Sequence, residues 1–328
     1  MPLKRLIMQR YERQMKLPEI GKDGQVKLSK SRILVVGCGG LGCTVLPLLC
    51  GGGVGYIRLY DHDVVEEHNL HRQSLYRMTD IGKPKVFCAK TLLNQQNPDC
   101  QIDTYQQRLV PGNVYEALQN IDLVIDASDN FMVTYSLSDA CKKVSIPLVS
   151  ASVIERYGYV GSFCGHGPSY RAVFPKFASV EGNCNSVGVM GPVVAILGAI
   201  QAQMALSILL GFTNSPLGQL INVDCRTWRF SQFRFDQATE PEEEGITFID
   251  YADLRTDDVI IELRSVQEAP QTVAPNVLRL LPHEIINWDP PLSQRIICVC
   301  KTGVRAAQAA YQLQQKGVKS LAILADYR

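Results

Sequence analysis

The chain has 328 residues, more than one typical domain, with 33 lysines and arginines against 32 aspartates and glutamates and a formal charge of +1. With both signs interspersed, this balance gives no basic footprint for nucleic acid, so partners must be recognised by shape and local charge. Eleven cysteines lie mostly inside apolar runs without regular spacing, and the apolar part of residues 1–7 is too short for an export signal. These features are read as reduced thiols in a cytoplasmic protein.

The first predicted strand, Ile33-Leu34-Val35-Val36, breaks into Gly37-Cys38-Gly39-Gly40-Leu41-Gly42 and passes into a helical pattern. A strand, a tight turn and a helix N-terminus offer unpaired N–H groups and a positive dipole end to a phosphate. A second strand over 56–60 ends in Asp61-His62-Asp63, at the distance where dinucleotide folds set an acid against a ribose hydroxyl. Asp63 either contacts the nucleotide or orients the loop after the strand. To this point an NAD enzyme fits as well as an ATP enzyme. Asn69-Leu70-His71-Arg72-Gln73 and Gly82-Lys83-Pro84-Lys85 then place cations where a triphosphate would need neutralising, and hydride transfer has no use for them. His62, His68 and His71 are read as loop residues without a chemical role.

A further apolar run over 121–125 ends in Asp126-Ala127-Ser128-Asp129-Asn130, oxygen ligands at a strand's C-terminal edge that suit magnesium. Together with strands over 101–105 and 147–150, the alternation predicts an α/β fold with a doubly wound, mostly parallel sheet. Strands over 159–164 and 219–224 read as its antiparallel extension. Between them, 188–212 is apolar enough to cross a bilayer, but Gln201, Gln203, Pro192 and its glycines favour a buried helix over 193–210 and no membrane partner. Residues 1–235 thus make one domain. The acidic stretch 236–246 reads as a linker, and 247–328 as a second, smaller α/β domain with strands over 259–264, 277–281 and 295–300 and a helix over 306–315.

Several ordered motifs add to this reading: Arg10-Tyr11-Glu12-Arg13-Gln14, the glycine turn, Asp61-x-Asp63, Asn69-x-x-Arg72-Gln73, Gly82-x-Pro84-Lys85, Asp126-x-x-Asp129-Asn130, Gly188-Val189-Met190-Gly191-Pro192 and Gly198-x-x-Gln201-Ala202. From about Arg10 to about Asp224 the chain resembles the ubiquitin-activating-like adenylyltransferases ThiF, MoeB and HesA, which activate sulfur-carrier proteins. The resemblance implies ATP and Mg2+ as cofactors. It implies that Gly37, Gly39, Gly40 and Gly42 line the phosphates and Asp61 holds the ribose. Asn69, Arg72, Gln73 and Lys85 would contact the nucleotide, and Asp129 would bind magnesium beside Asn130. Arg13 matches an arginine that reaches into the second subunit's site, which implies a homodimer. No general base is needed, because the attacking carrier carboxylate is already ionised.

The tail carries a second likeness, for Cys300-Lys301-Thr302-Gly303-Val304-Arg305 resembles the active-site loop of rhodanese sulfurtransferases. That resemblance implies a persulfide on Cys300, loaded by a donor such as a cysteine desulfurase, and Cys184 falls where adenylyltransferase relatives carry a reactive cysteine. The expected partner is a ubiquitin-like carrier of ThiS or MoaD type. In one respect the chain departs from these relatives, whose structural zinc sits between two C-x-x-C pairs. The first pair would fall at Ser169-Tyr170-Arg171-Ala172 and none follows Cys225, so no zinc is expected and packing around Tyr170, Phe174 and Phe177 takes its place. Adenylation of a peptide or small-molecule carboxylate, an NAD-dependent oxidoreductase and a non-catalytic scaffold are the alternatives.

Overall fold

A computed structural model describes residues 9–175, 188–242 and 245–327. Strands Arg32–Val36 (β1), Tyr56–Tyr60 (β2), Gln101–Tyr105 (β3), Leu123–Asp126 (β4), Pro147–Ile154 (β5), Tyr157–Cys164 (β6), Gln219–Asp224 (β7) and Arg229–Arg234 (β8) form one sheet in the order β3-β2-β1-β4-β5-β6-β7-β8. Strands β1 to β5 run parallel, and pairing turns antiparallel from β6 onward. The sheet is therefore doubly wound and mostly parallel with an antiparallel extension, as the sequence implies. β4 is buried on both faces, the position that suits its unbroken apolar run. The chain leaves β1 for β2 and β3 on one side and resumes at β4 on the other. The crevice created by that reversal lies at the C-terminal ends of β1 and β4.

Helices Gly21–Lys30 (α1), Gly40–Gly52 (α2), Lys85–Gln96 (α3), Phe131–Lys143 (α4) and Gly191–Leu210 (α5) cover the sheet. α5 is the apolar segment that by length and composition could cross a bilayer, and half of it is buried against the sheet. Its Gln201 is wholly buried and donates Nε2 to the carbonyls of Asp126 at 2.8 Å and Val149 at 3.3 Å. A glutamine in the middle of this helix thus ties it across β4 and β5.

Three features depart from the sequence reading. β5 and β6 extend to meet at a tight turn, and β8 adds an edge strand whose six residues are all exposed. Nor is 236–246 a free tether. Glu240 accepts from Ser169 N at 2.8 Å and Ser169 Oγ at 2.5 Å, with Lys142 Nζ 3.1 Å away, and Ile246 is buried.

A second sheet follows, with Thr247–Ile249 (β9), Val259–Glu262 (β10), Val277–Arg279 (β11), Ile296–Cys300 (β12) and Leu321–Ala325 (β13) all parallel in the order β11-β10-β12-β13-β9. Val304–Gln315 (α6) packs on it through Ala306, Ala310 and Leu313. One apolar cluster runs from Phe163 and Phe235 through Ile246 and Phe248 to Cys298 and α6, so the two sheets share a core. Inside the tail, Arg264 is 2 % exposed and bonds Glu262 Oε2 at 2.8 Å and Asp326 Oδ2 at 2.6 Å. Removing one partner of such a buried group strands the other charge. Glu262→Ala should therefore destabilise the tail by about 3–5 kcal/mol, read as a lower urea midpoint from Trp288 fluorescence in a Trp228→Phe background. An unmoved midpoint would show that the triad carries no such load.

Candidate nucleotide site

β1 ends at Gly37, whose φ of +102° suits only glycine and whose missing Cβ would otherwise lie 2.5 Å from Ala127 O. A Cβ on Gly42 would fall 2.1 Å from the carbonyl oxygen of Gly37. These two contacts fold the turn tightly onto the end of β4. Gly39 then serves as N-cap of α2 with no side-chain cap, which leaves the first amides of the helix, Gly40 among them, turned toward the crevice.

Asp61 stands at the end of β2 and braces this turn. Its Oδ2 accepts from Cys38 N at 2.6 Å and its Oδ1 from Asp63 N at 2.8 Å. Asp63 Oδ2 accepts from Lys85 Nζ at 2.9 Å, and Oδ1 lies 3.0 Å from His62 Nε2. The contact with His62, and then the ammonium of Lys85, hold the Asp63 carboxyl well below the usual range against the opposing effect of burial. Lys85 is only 5 % exposed, so an ionised partner is what permits its charge there. Asp61, His62 and Asp63 bring three ligand-type atoms within 4.8 Å of one another, but both carboxylates are already engaged by amides and Lys85.

The loop after β2 supplies the rest. Asn69 is buried and its Oδ1 accepts from Glu66 N at 3.3 Å. Arg72 is half-buried, with Nη1 3.2 Å from His68 O and 2.7 Å from His71 Nε2. Gln73 is buried near Gly39, and among the described residues its Oε1 has no hydrogen-bond partner. A buried acceptor left open beside the glycine turn fits a site that receives a hydroxyl or a metal-bound water. The residues present therefore suit a magnesium nucleotide.

At the end of β4, Asp126 is fully buried and fully satisfied. Its Oδ1 accepts from Ser128 N at 3.1 Å and Ser128 Oγ at 2.7 Å, its Oδ2 from Thr134 Oγ1 at 2.6 Å and Ser150 Oγ at 2.8 Å. Desolvation raises its pKa, and the hydroxyl and amide donors oppose that rise. Asp129 projects its exposed carboxylate from the next turn, where a divalent cation could reach it. Asn130 points both ends of its amide at protein: Oδ1 caps α4 by accepting from Met132 N at 3.0 Å, and Nδ2 donates to Tyr327 OH at 2.7 Å.

Arg13 is exposed on the short helix Glu12–Met15. The adjacent Gln14 donates to Gly52 O at 3.0 Å, at the C-terminal end of α2. The glycine turn is at the other end of that helix, about 18 Å away at 1.5 Å per residue. Cys184 and Phe177 lie outside the described residues. Cys300 is the last residue of β12, 1 % exposed, and Ala306 N donates to its Sγ at 3.4 Å. At the positions where relatives would begin a zinc site, Ser169 caps the short helix Tyr170–Val173 and Arg171 forms a two-pronged pair with Asp139 at 2.6 and 2.8 Å. The Tyr170 and Phe174 rings lie 4.6 Å apart, in the packing expected around them. The sequence reading missed Arg108, Thr134, Ser150 and Tyr327, and it gave His62 no role. In the structure His62 Nε2 also meets Arg108 Nη2, and the Arg108 guanidinium stacks 3.8 Å over the Tyr327 ring.

A glycine turn, two cations and an exposed carboxylate at the switch point define a nucleotide-binding α/β protein. The chain belongs to the ThiF family, whose model matches residues 11–244. It is 38% identical over 228 residues to the adenylyltransferase and sulfurtransferase MOCS3 of Drosophila sechellia, covering 69% of this chain and 50% of that protein. It is also 39% identical over 225 residues to the sulfur carrier protein adenylyltransferase of Thermus thermophilus, covering 66% of this chain and 83% of that protein. The chain thus spans about half the length of the MOCS3 relatives it matches. Among solved structures it shares the fold of E. coli MccB with MccA-N7isoASN (TM-score 0.61, 19% identity, 70% of this chain and 72% of that one). PaaA is similar in the same way (TM-score 0.60, 22% identity, 70% and 73%).

If Lys85 is the buried phosphate cation, Lys85→Met should weaken MgATP binding at least about tenfold, or about 1.4 kcal/mol, in calorimetric titration. Unchanged affinity would restrict Lys85 to its pair with Asp63.

Proposed function

We propose that this chain is an ATP-dependent adenylyltransferase that activates the C-terminal glycine of a ubiquitin-like sulfur carrier of ThiS or MoaD type. The observation that carries the reading is the tight glycine turn after β1, with Arg72 and the buried Lys85 in the segments that follow β2 and the exposed Asp129 just after β4. The likeness to the sulfur carrier protein adenylyltransferase of Thermus thermophilus supports it. The carrier's carboxylate oxygen bonds to the α-phosphorus of ATP, the bond to the bridging oxygen breaks, and pyrophosphate leaves with its electron pair. Arg72, Lys85 and the amides at the start of α2 stabilise the negative charge that grows on the phosphates. Asp129 would hold magnesium, which when bound neutralises phosphate charge. No zinc is assigned, because Ser169 and Arg171 are committed to a cap and an ion pair.

In this reading the tail is a rhodanese-like domain. The amide of Ala306 at the start of α6 donates to Cys300 Sγ at 3.4 Å. A persulfide loaded there by a cysteine desulfurase attacks the acyl carbon and displaces AMP, forming an acyl disulfide. The thiol of Cys184 then attacks the Cys300 sulfur, which releases the thiocarboxylate and leaves a Cys184–Cys300 disulfide for an external thiol to reduce. Exchange of pyrophosphate into ATP, assayed with ThiS and MoaD separately, tests the adenylation step. Exchange with one of them supports it, and exchange with neither refutes a carrier of these types. Cys300→Ala should abolish sulfur transfer and leave exchange intact, whereas loss of both would refute the division between the two halves.

The active unit is a homodimer in this account. Two observations support it: Arg13 stands far from its own chain's glycine turn, and beside it a cavity of about 320 Å3 opens between the exposed Leu48 and Leu206 of α5. Mixing inactive Arg13→Ala with inactive Arg72→Ala should restore roughly a quarter of the exchange activity, because a mixed C2 dimer rebuilds one intact site. No recovery on mixing would assign Arg13 to its own subunit.

A further inference from the structure

A line of polar contacts leaves the nucleotide crevice and ends in the tail. Lys85 meets Asp63 and Asp63 meets His62, while His62 Nε2 also faces Arg108 Nη2. One ring nitrogen either donates to Asp63 or accepts from Arg108, so His62 leaves Arg108 only partly held. The guanidinium is fixed instead by Tyr327, whose ring centroid lies 3.8 Å from Arg108 Cζ and whose hydroxyl accepts from Asn130 Nδ2 at 2.7 Å. Arg108 follows β3 and Asn130 follows β4, and in the order β3-β2-β1-β4 those strands stand three spacings, about 14 Å, apart. Tyr327, just past β13, is thus a tail residue that links the segments after β3 and β4, the strands that flank β2 and β1 in the sheet.

We propose that Tyr327 is a positioning residue of the nucleotide site, supplied by the tail, and that MgATP binding and docking of the tail are thereby coupled. The inference rests on the adenylation reading and adds a regulation of that same site. Stacking holds Arg108, and the hydroxyl holds the Asn130 amide that caps α4 beside Asp129. A nucleotide that binds the docked arrangement more tightly must, by reciprocity, tighten docking to the same degree. The contact also connects the two halves chemically. Asp326 N, one residue before Tyr327, donates to Cys300 O at 2.9 Å, so the docked tail keeps the base of the Cys300 loop next to the crevice.

The test uses the full chain and MgATP alone. Tyr327→Ala should raise the Kd for MgATP about tenfold, while Tyr327→Phe, which keeps the ring, should stay within about threefold of the parent. In pyrophosphate exchange the KM for ATP should rise in Tyr327→Ala with the KM for the carrier unchanged, a split that a merely structural residue would not produce. MgATP should slow amide exchange across 247–327 in the parent chain and not in Tyr327→Ala. If Tyr327→Ala does not fold, Arg108→Met breaks the same stack from the half-buried other side and carries the same expectation. Equal MgATP affinity in parent and variant, or tail exchange indifferent to MgATP in the parent, would overturn the coupling. A parent chain that binds no MgATP would instead refute the adenylation reading, and the coupling with it.

Discussion

The arrangement around the crevice depends on one carboxylate kept in the core. Asp126 ends β4 with no exposure, and a carboxyl group is tolerated there because four donors satisfy its two oxygens. Those donors come from the loop after β4, from α4 and from β5, and Gln201 of α5 reaches the main-chain oxygen of the same residue. Five parts of the chain are thereby fixed to one point at the reversal of strand order. Gly37 lies against Ala127, the next residue, so the phosphate turn is built directly on this anchor.

What the sequence made legible follows the physical constraint behind each feature. Glycines 37 and 42 answer to backbone approaches too close for a Cβ, and such a demand leaves its mark on residue type. The strand run 33–36 and residues 123–125 of the core strand show as unbroken apolar runs because both faces are covered. β8 escaped notice because an exposed edge strand has no apolar face to display. Thr134 and Ser150 read as ordinary polar residues, since nothing local announces that their hydroxyls converge on Asp126. The link from His62 to Arg108 spans 46 positions and that from Asn130 to Tyr327 spans 197, and no spacing rule reports contacts of that kind. Asn130 illustrates the limit from the other side, for its place before a helix is a capping signal as well as part of a nucleotide motif.

The two sheets are joined by more than chain connection. Apolar packing through Ile246 and Phe248 gives them a common core, and Glu240 ties the intervening acidic stretch to Ser169 and Lys142. An acidic run that looks like a solvated tether is thus drawn down by cationic and hydroxyl partners that lie far off in sequence. The proposed sulfur relay between the halves would benefit from this arrangement, because an activated carboxylate exposed to water is lost to hydrolysis unless its nucleophile is near. A cavity of about 300 Å3 lined by Arg108, Met132, Tyr251, Leu324 and Tyr327 lies on that seam, between the end of the first sheet and the strand that carries the second toward Cys300.

The central claim is that the crevice at the ends of β1 and β4 is built for a triphosphate rather than a nicotinamide dinucleotide. Parallel titrations of the full chain, MgATP by calorimetry and NADH by fluorescence, test it most directly. Saturable one-to-one binding of MgATP with no NADH binding is the expected result. NADH binding in the absence of MgATP binding would contradict the assignment of Arg72 and Lys85 as phosphate cations and return the fold to the dehydrogenase reading.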